Sequence, residues 1–89
     1  MKTLHTLLAV ALAALTLSAR ADITIGVTLS ATGPAASLGI PEKNTIDLMP
    51  RTMAGHKVNY IVLDDASDTT AAVANARRLI TESKVDVIL

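Results

Sequence analysis

The sequence predicts an α/β fold with a parallel β-sheet, because short β-branched runs alternate with segments of helical periodicity. Three runs rich in valine, isoleucine or leucine read as strands, at residues 23–29, 58–63 and 85–89. Helical segments separate them, and the order strand, helix, strand, helix, strand implies parallel strands with right-handed crossovers. The expected architecture is therefore one βαβαβ unit with no internal repeat.

The first predicted helix is marked by two prolines. Pro41 suits the first turn of a helix, where its missing N–H leaves no hydrogen bond unmade. Apolar residues then recur at helical spacing, at Ile46, Met49 and Met53. Pro50 interrupts this pattern, so the sequence predicts a helix that starts at Pro41, has a kink or a short second turn at Pro50, and ends by Gly55.

The second strand and second helix are predicted from a change of periodicity. Residues 58–63 are apolar without clean alternation, as in a strand that is covered on both faces. Asp68 or Thr69 can cap the following helix, since a side-chain oxygen there satisfies N–H groups of the first turn. The helix should bury one apolar stripe. That stripe consists of Val73, Ala76, Leu79 and Ile80.

The first 21 residues have the organisation of a secretory signal peptide. Lys2 supplies a positive charge, residues 7–17 form an uncharged apolar run, and Ala19-Arg20-Ala21 gives the small-residue pattern of a cleavage site. Cleavage is expected between Ala21 and Asp22. A membrane anchor is the alternative, but an apolar helix of eleven residues spans only about 16 Å, roughly half of a bilayer core.

The composition of residues 22–89 limits the partners of the processed chain. Six basic and eight acidic residues give a net charge of −2, so no basic field attracts nucleic acid or anionic lipid. Tyr60 is the single aromatic residue, which argues against base stacking. The absence of cysteine excludes disulfides and thiol lipidation. The sequence therefore predicts a soluble protein of the periplasm with no nucleic-acid partner.

Residues 30–39 combine small, hydroxylated and glycine residues directly after the first strand. Ligands bind at this end of the strands in open α/β sheets, where short side chains let the backbone approach a ligand. The segment has neither the Gly-Lys-Ser/Thr ending of a P-loop nor a G-x-G-x-x-G pattern. Pro34 also removes one amide from any phosphate cradle. A small-molecule site and an ordinary strand-to-helix turn both fit.

The acidic run at residues 64–68 matches the D-D-x-x-D pattern of magnesium sites. It follows a strand, so Asp64, Asp65 and Asp68 would not share one helical face, and a strand end with a helix cap is the favoured interpretation. His56 is the one histidine after residue 21, and no serine has a paired base. The sequence therefore predicts no catalytic residue, no metal site and no cofactor.

Three ordered segments carry a resemblance to a known family. They are residues 25–39, 60–73 and 76–89, that is, the first strand with its loop, the second strand with its acidic turn, and the second helix with the third strand. Together they resemble periplasmic substrate-binding proteins of branched-chain amino acid ABC transporters. The resemblance implies a type I binding protein with two lobes, which closes on a small ligand, docks on an ABC permease of the inner membrane and catalyses no reaction.

The resemblance also implies a ligand contact. In this family the segment after the first strand contacts the apolar part of the ligand at the position of Leu38, beside Ser37. An aromatic residue is frequent at that position, and leucine neither stacks on a ligand nor donates a hydrogen bond. The family as a whole implies a branched-chain or other amino acid as the ligand. An aromatic acid is also implied, because residues 37–44 resemble a branch that is linked to aromatic and other organic acids.

Family members are much longer than this chain. Residues 22–89 therefore correspond to the N-terminal part of the first lobe, without most of the pocket, and are expected to be molten or prone to aggregation in isolation. Two alternatives stay open at the level of sequence. One is a truncated or vestigial polypeptide without binding activity, and the other is a small exported metal-dependent enzyme that uses Asp64, Asp65 and Asp68.

Overall fold

The computed structural model describes residues 22–89, which form one sheet with a helix on each face. The signal-peptide prediction concerns residues 1–21 and lies outside the described residues. Within the described range, no helix has the length and apolarity needed to cross a membrane. The elements in chain order are β1 (Ile23–Leu29), α1 (Ala36–Asp47), β2 (Thr52–Met53), β3 (His56–Asp64), α2 (Thr69–Thr81) and β4 (Val87–Ile88).

Strand β1 lies between its two parallel partners. Its seven residues pair with β3 from Ile23 opposite Val58 to Leu29 opposite Asp64. On the other side, β1 pairs with β4, with Ile25 opposite Val87. The predicted parallel βαβαβ order is thus confirmed, and the sheet order among the described residues is β2-β3-β1-β4. The carboxyl ends of β1 and β3 consequently finish side by side.

The helix that was predicted to start at Pro41 and to be interrupted at Pro50 begins and ends earlier in the structure. Helix α1 begins at Ala36, so Pro41 lies inside it and cannot donate to the Ser37 carbonyl. Thr45 Oγ1 donates to the Pro41 carbonyl at 3.0 Å. The helix ends at Asp47, before Pro50 can interrupt it.

A short hairpin occupies the segment that was expected to continue the helix. Strand β2 pairs antiparallel with the start of β3, with Thr52 opposite Lys57 and Met53 opposite His56. The turn residues Ala54 and Gly55 have φ of 51° and 82°. Two successive left-handed residues are typical of tight hairpin turns. Met53 therefore lies on a strand instead of on the predicted helical stripe.

Alternate side chains of β1 point to opposite faces of the sheet, and each face carries one helix. The face toward α1 holds the main cluster of buried apolar residues, which consists of Ile25, Val27, Leu29, Ile46 and Val58. On the α2 face, Leu79 is fully buried and lies over Gly26. Val73 and Ile80 stay exposed, because a helix turns about 100° between successive residues and the sheet contacts only part of the predicted stripe.

Candidate functional site

Two loops meet at the carboxyl ends of β1 and β3. The first loop comprises residues 30–35 and the second loop residues 65–68. The Asp65 N–H donates to the Leu29 carbonyl at 2.9 Å, so the pairing of the two strands continues into the loops. In open α/β sheets ligands bind outside the carboxyl ends of the strands. This edge is therefore the candidate site.

The carboxylate of Asp64 fastens the first loop to the end of β3. Its Oδ1 accepts from the N–H groups of Ala31 at 2.9 Å, Thr32 at 3.3 Å and Ala66 at 2.9 Å. Its Oδ2 accepts from the Thr32 hydroxyl at 2.6 Å. The Thr32 hydroxyl, followed by the Ala66 N–H, lowers the pKa of Asp64 below its ordinary value. Both carboxylate oxygens thus bind groups of the two loops.

Asp65 is buried and joins the same two loops. Its Oδ1 accepts from the Ser30 hydroxyl at 2.6 Å and from the Ser67 N–H at 2.9 Å. Like Asp64, this residue uses its carboxylate to fix backbone conformation. A strand end built by two adjacent aspartates is the interpretation that the sequence favoured.

Asp68 has a separate task at the start of α2. It is the N-cap residue, and its carboxylate accepts from the N–H groups of Thr70 and Ala71 at 3.3 and 3.2 Å. The predicted helix cap is confirmed for Asp68. Over residues 22–89 no group of histidine, cysteine, aspartate or glutamate side chains is arranged to hold a metal ion.

Ser67 connects the two loops, a role that was not predicted from the sequence. Its Oγ accepts from the Ala35 N–H at 2.9 Å and donates to the Thr32 carbonyl at 2.8 Å. Both partners lie more than thirty residues earlier in the chain. The one local signal for such a role is the place of Ser67 in an acidic turn.

Two glycines allow the close approach of these segments. Gly33 has φ of 81°, and a Cβ there would lie 2.6 Å from the Ala66 carbonyl oxygen. Gly39 lies in α1 directly against the end of β1, where a Cβ would overlap the Ser30 carbonyl. The glycines of residues 30–39 are therefore explained by packing within the chain.

The two predicted ligand contacts lie in the first turn of α1, and the sequence had placed them before the helix. Ser37 is exposed, and the Leu38 side chain is 68% exposed. A recess of about 180 Å³ lies between the loops and is lined in part by Ser30, Asp65 and Ser67, without Ser37 or Leu38. The structure thus puts both predicted residues near the strand-end edge, and their ligand contact stays a prediction.

The first turn of α1 differs from that of α2. No side chain caps α1, whose N-cap residue is Ala35, whereas Asp68 caps α2. The Ala36 N–H donates to the Gly33 carbonyl, and the N–H groups of Leu38 and Gly39 turn back to the Ala35 carbonyl. The helix that presents Leu38 is thus positioned through Ala35 and the first loop.

The parallel sheet with a helix on each face, and two loops at its carboxyl edge, is the arrangement with which α/β ligand-binding folds begin. A model of the periplasmic binding protein family matches residues 22–89. The chain therefore belongs to the periplasmic binding protein family, as its type I resemblance indicated. A comparison with curated protein sequences gives no match.

Several solved structures are similar to the chain. An extracellular ligand-binding receptor from Rhodopseudomonas palustris HaA2 is 54% identical, over 76% of this chain and 19% of its own, with a TM-score of 0.74. A solute-binding protein of an ABC transporter from Rhodopseudomonas palustris BisB5, in complex with 3,4-dihydroxybenzoic acid, is 34% identical, over 75% and 20%, with a TM-score of 0.71. An ABC transporter solute-binding protein from R. palustris in complex with 4-hydroxybenzoate is 30% identical, over 76% and 20%, with a TM-score of 0.67. The chain spans about a fifth of the length of these structures.

The low pKa of Asp64 predicts an acid-sensitive contribution to stability. A lowered folded-state pKa means that ionised Asp64 stabilises the fold above about pH 4 and that this stabilisation is lost as the pH falls through the lowered pKa. We define the hybrid receptor as the R. palustris BisB5 protein in which residues 22–89 replace the matching segment. Its melting temperature should exceed that of Asp64→Asn at pH 6, and the difference should shrink as the pH falls to 3.

The control for this experiment is Asp47→Asn, which removes an exposed aspartate at the end of α1. Because this side chain is exposed and lies outside the two loops, its removal is expected to change the melting temperature at pH 6 less than Asp64→Asn does. An Asp64→Asn difference that stays constant over the same pH range would show that the Asp64 carboxylate does not stabilise the loops in its ionised form.

Proposed function

We propose that the chain supplies the N-terminal part of the first lobe of an ABC-importer solute-binding protein. The family match and the ABC-transporter relatives support this role. In the complete protein, a ligand that contacts both lobes stabilises their closed arrangement. The closed form then docks on a permease of the inner membrane. Residues 22–89 would form one wall of the ligand site.

The ligand that we favour is a small aromatic carboxylic acid. Two relatives are in complex with benzoic acids that carry ring hydroxyls. Leu38 offers an exposed apolar side chain at the first turn of α1, which can cover the face of such a ring. A branched-chain amino acid is the second candidate, because the same leucine also fits a branched alkyl group.

The other two hypotheses receive less support from the geometry. A metal-dependent enzyme would need Asp64, Asp65 and Asp68 as ligands. Their carboxylates already accept hydrogen bonds from loop N–H groups, from loop hydroxyls and from N–H groups of the first turn of α2, at distances of 2.6 to 3.3 Å. A truncated or vestigial chain without binding activity makes the opposite prediction for the titrations below, namely no heat of binding.

The single observation that carries the proposal is the exposure of Leu38 at the strand-end edge. In the hybrid receptor, Leu38→Ala should weaken 3,4-dihydroxybenzoate binding about tenfold, because about half of the apolar contact of a leucine is lost. Leu38→Asp should weaken binding further, since a carboxylate would be desolvated beside an acidic ligand. Isothermal titration calorimetry measures both effects.

Ile40→Ala is the matched control, since Ile40 is also an exposed apolar residue of α1 but lies beyond its first turn. It should change the dissociation constant less than twofold. Unchanged binding by Leu38→Asp would contradict the assignment of this side chain to the ligand site. Titration of L-leucine into the same proteins is a further control, and we expect it to give no heat of binding.

Export is tested separately from binding. Residues 1–89 fused to alkaline phosphatase, which is active only after export, should give an active enzyme whose chain begins at Asp22. Ala21→Tyr should block processing, because the cleavage site requires a small residue. Arg20→Ala, at the unconstrained position between the two alanines, is the control and should be processed normally. Mass spectrometry of the N-terminus reads both results, and processing of Ala21→Tyr at Asp22 would contradict the predicted site.

A further inference from the structure

The second loop contains two consecutive residues in the left-handed conformation that are not glycine. Ala66 has φ of 52° and Ser67 has φ of 61°. Such backbone costs free energy for residues with a Cβ and persists where surrounding contacts enforce it. The contacts here are the hydrogen bonds from the Ala66 N–H to Asp64 and from the Ser67 N–H to Asp65, both 2.9 Å.

This conformation brings the Ser67 hydroxyl to the start of α1. The hydroxyl accepts from the N–H of Ala35, the N-cap residue, and donates to the Thr32 carbonyl. In a capping box, a side chain within the helix itself accepts from the N-cap N–H. Here Ser67 of a different loop takes that position, because the third residue of α1 is Leu38, whose side chain has no hydrogen-bond acceptor.

Ala35 is also hydrogen-bonded to Leu38, the residue that we assign to the ligand contact. The N–H groups of Leu38 and Gly39 both donate to the Ala35 carbonyl, at 3.0 and 3.2 Å. Gly33 lies in contact with the second loop, where a Cβ would be 2.9 Å from the Ser67 Oγ. The first turn of α1 and the second loop are therefore joined through Ala35.

We propose that Ser67 is a positioning residue for ligand recognition, whose hydroxyl fixes Ala35 and thereby the first turn that carries Leu38. This inference rests on the proposed function of the strand-end edge. If the hydroxyl is absent, the first turn samples other positions, and the binding-competent arrangement is a smaller fraction of the population. The apparent affinity falls by that fraction.

The test compares two substitutions of Ser67 in the hybrid receptor. Ser67→Ala and Ser67→Gly both delete the hydroxyl, but glycine also relieves the left-handed backbone. Both should weaken 3,4-dihydroxybenzoate binding about three- to tenfold, as for the loss of one or two hydrogen bonds. Ser67→Gly should melt at a higher temperature than Ser67→Ala, so affinity and stability change independently. Ala66→Gly is the control, with backbone relief but no lost hydroxyl, and should bind within twofold of the unmodified protein.

Hydrogen exchange of residues 33–40 in the absence of ligand gives a second readout. Both Ser67 variants should exchange about three- to tenfold faster in this segment, and Ala66→Gly should not. Full affinity in Ser67→Gly, or unchanged exchange in both Ser67 variants, overturns the inference. If the unmodified hybrid receptor binds no ligand, the proposed function fails, and the exchange result still decides whether Ser67 positions the turn.

Discussion

Replacing Gly39 by alanine should destabilise the hybrid receptor by about 3 kcal/mol, the upper range for overpacking a core. Helix propensity alone predicts the opposite sign, since alanine inside a helix is favoured over glycine by about 1 kcal/mol. The difference arises because a Cβ at Gly39 would overlap the Ser30 carbonyl. Ser30 cannot easily move, as its hydroxyl is bonded to buried Asp65.

Urea unfolding of the hybrid receptor measures this effect. Ser37→Ala is the control, because Ser37 is exposed on the same turn and its replacement should change the free energy of unfolding by less than about 0.5 kcal/mol. A gain in stability for Gly39→Ala would mean that α1 does not lie against the end of β1 as described.

Leu79→Ala is the second change with a large expected effect. Leu79 is 0% exposed and lies over Gly26, so its truncation leaves a cavity between α2 and the sheet. Buried leucine-to-alanine changes cost about 2 to 5 kcal/mol. The neighbouring Ile80→Ala is the control, since Ile80 is 59% exposed and loses little packing.

The Gly26→Ala change adds a sharper test of the same contact. On its own, a Cβ at Gly26 would lie 3.1 Å from both Leu79 methyl carbons, so the substitution is crowded. In the Leu79→Ala background the added methyl fills part of the cavity. The double variant should therefore be more stable than the sum of the single effects by about 1 kcal/mol or more. Strict additivity would contradict the contact between this helix and β1.

The strand framework could be predicted from the sequence because its signals are local. The β-branched run of β1 and the apolar run of β3 are each sufficient to mark a strand, and their parallel order follows from the helices between them. The start of α1 could not be predicted in the same way. Pro41 is a strong first-turn signal, but the contact of Gly39 with Ser30 extends the helix toward the first loop.

In the candidate site, too, roles with partners nearby in the sequence could be predicted and roles with distant partners could not. The cap by Asp68 was predictable, since its partners are two and three residues away. The roles of Asp64 and Ser67 were not, because their partners in the first loop lie 32 to 35 residues earlier. The hairpin of β2 was also missed, since its left-handed residue Ala54 carries no strong turn signal. The prediction that Leu38 and Ser37 contact the ligand came from the family resemblance alone.

The central position of β1 has a consequence for the timing of folding. Ile23 finds its partner Val58 after 35 further residues, and Ile25 finds Val87 after 62. A strand whose neighbours are so distant cannot form sheet while the ribosome is still making the intervening chain, and high contact order slows its pairing afterwards. The nascent chain therefore keeps β1 without a sheet partner until β3 has been synthesised, and the sheet is complete on both sides of β1 only once β4 has followed.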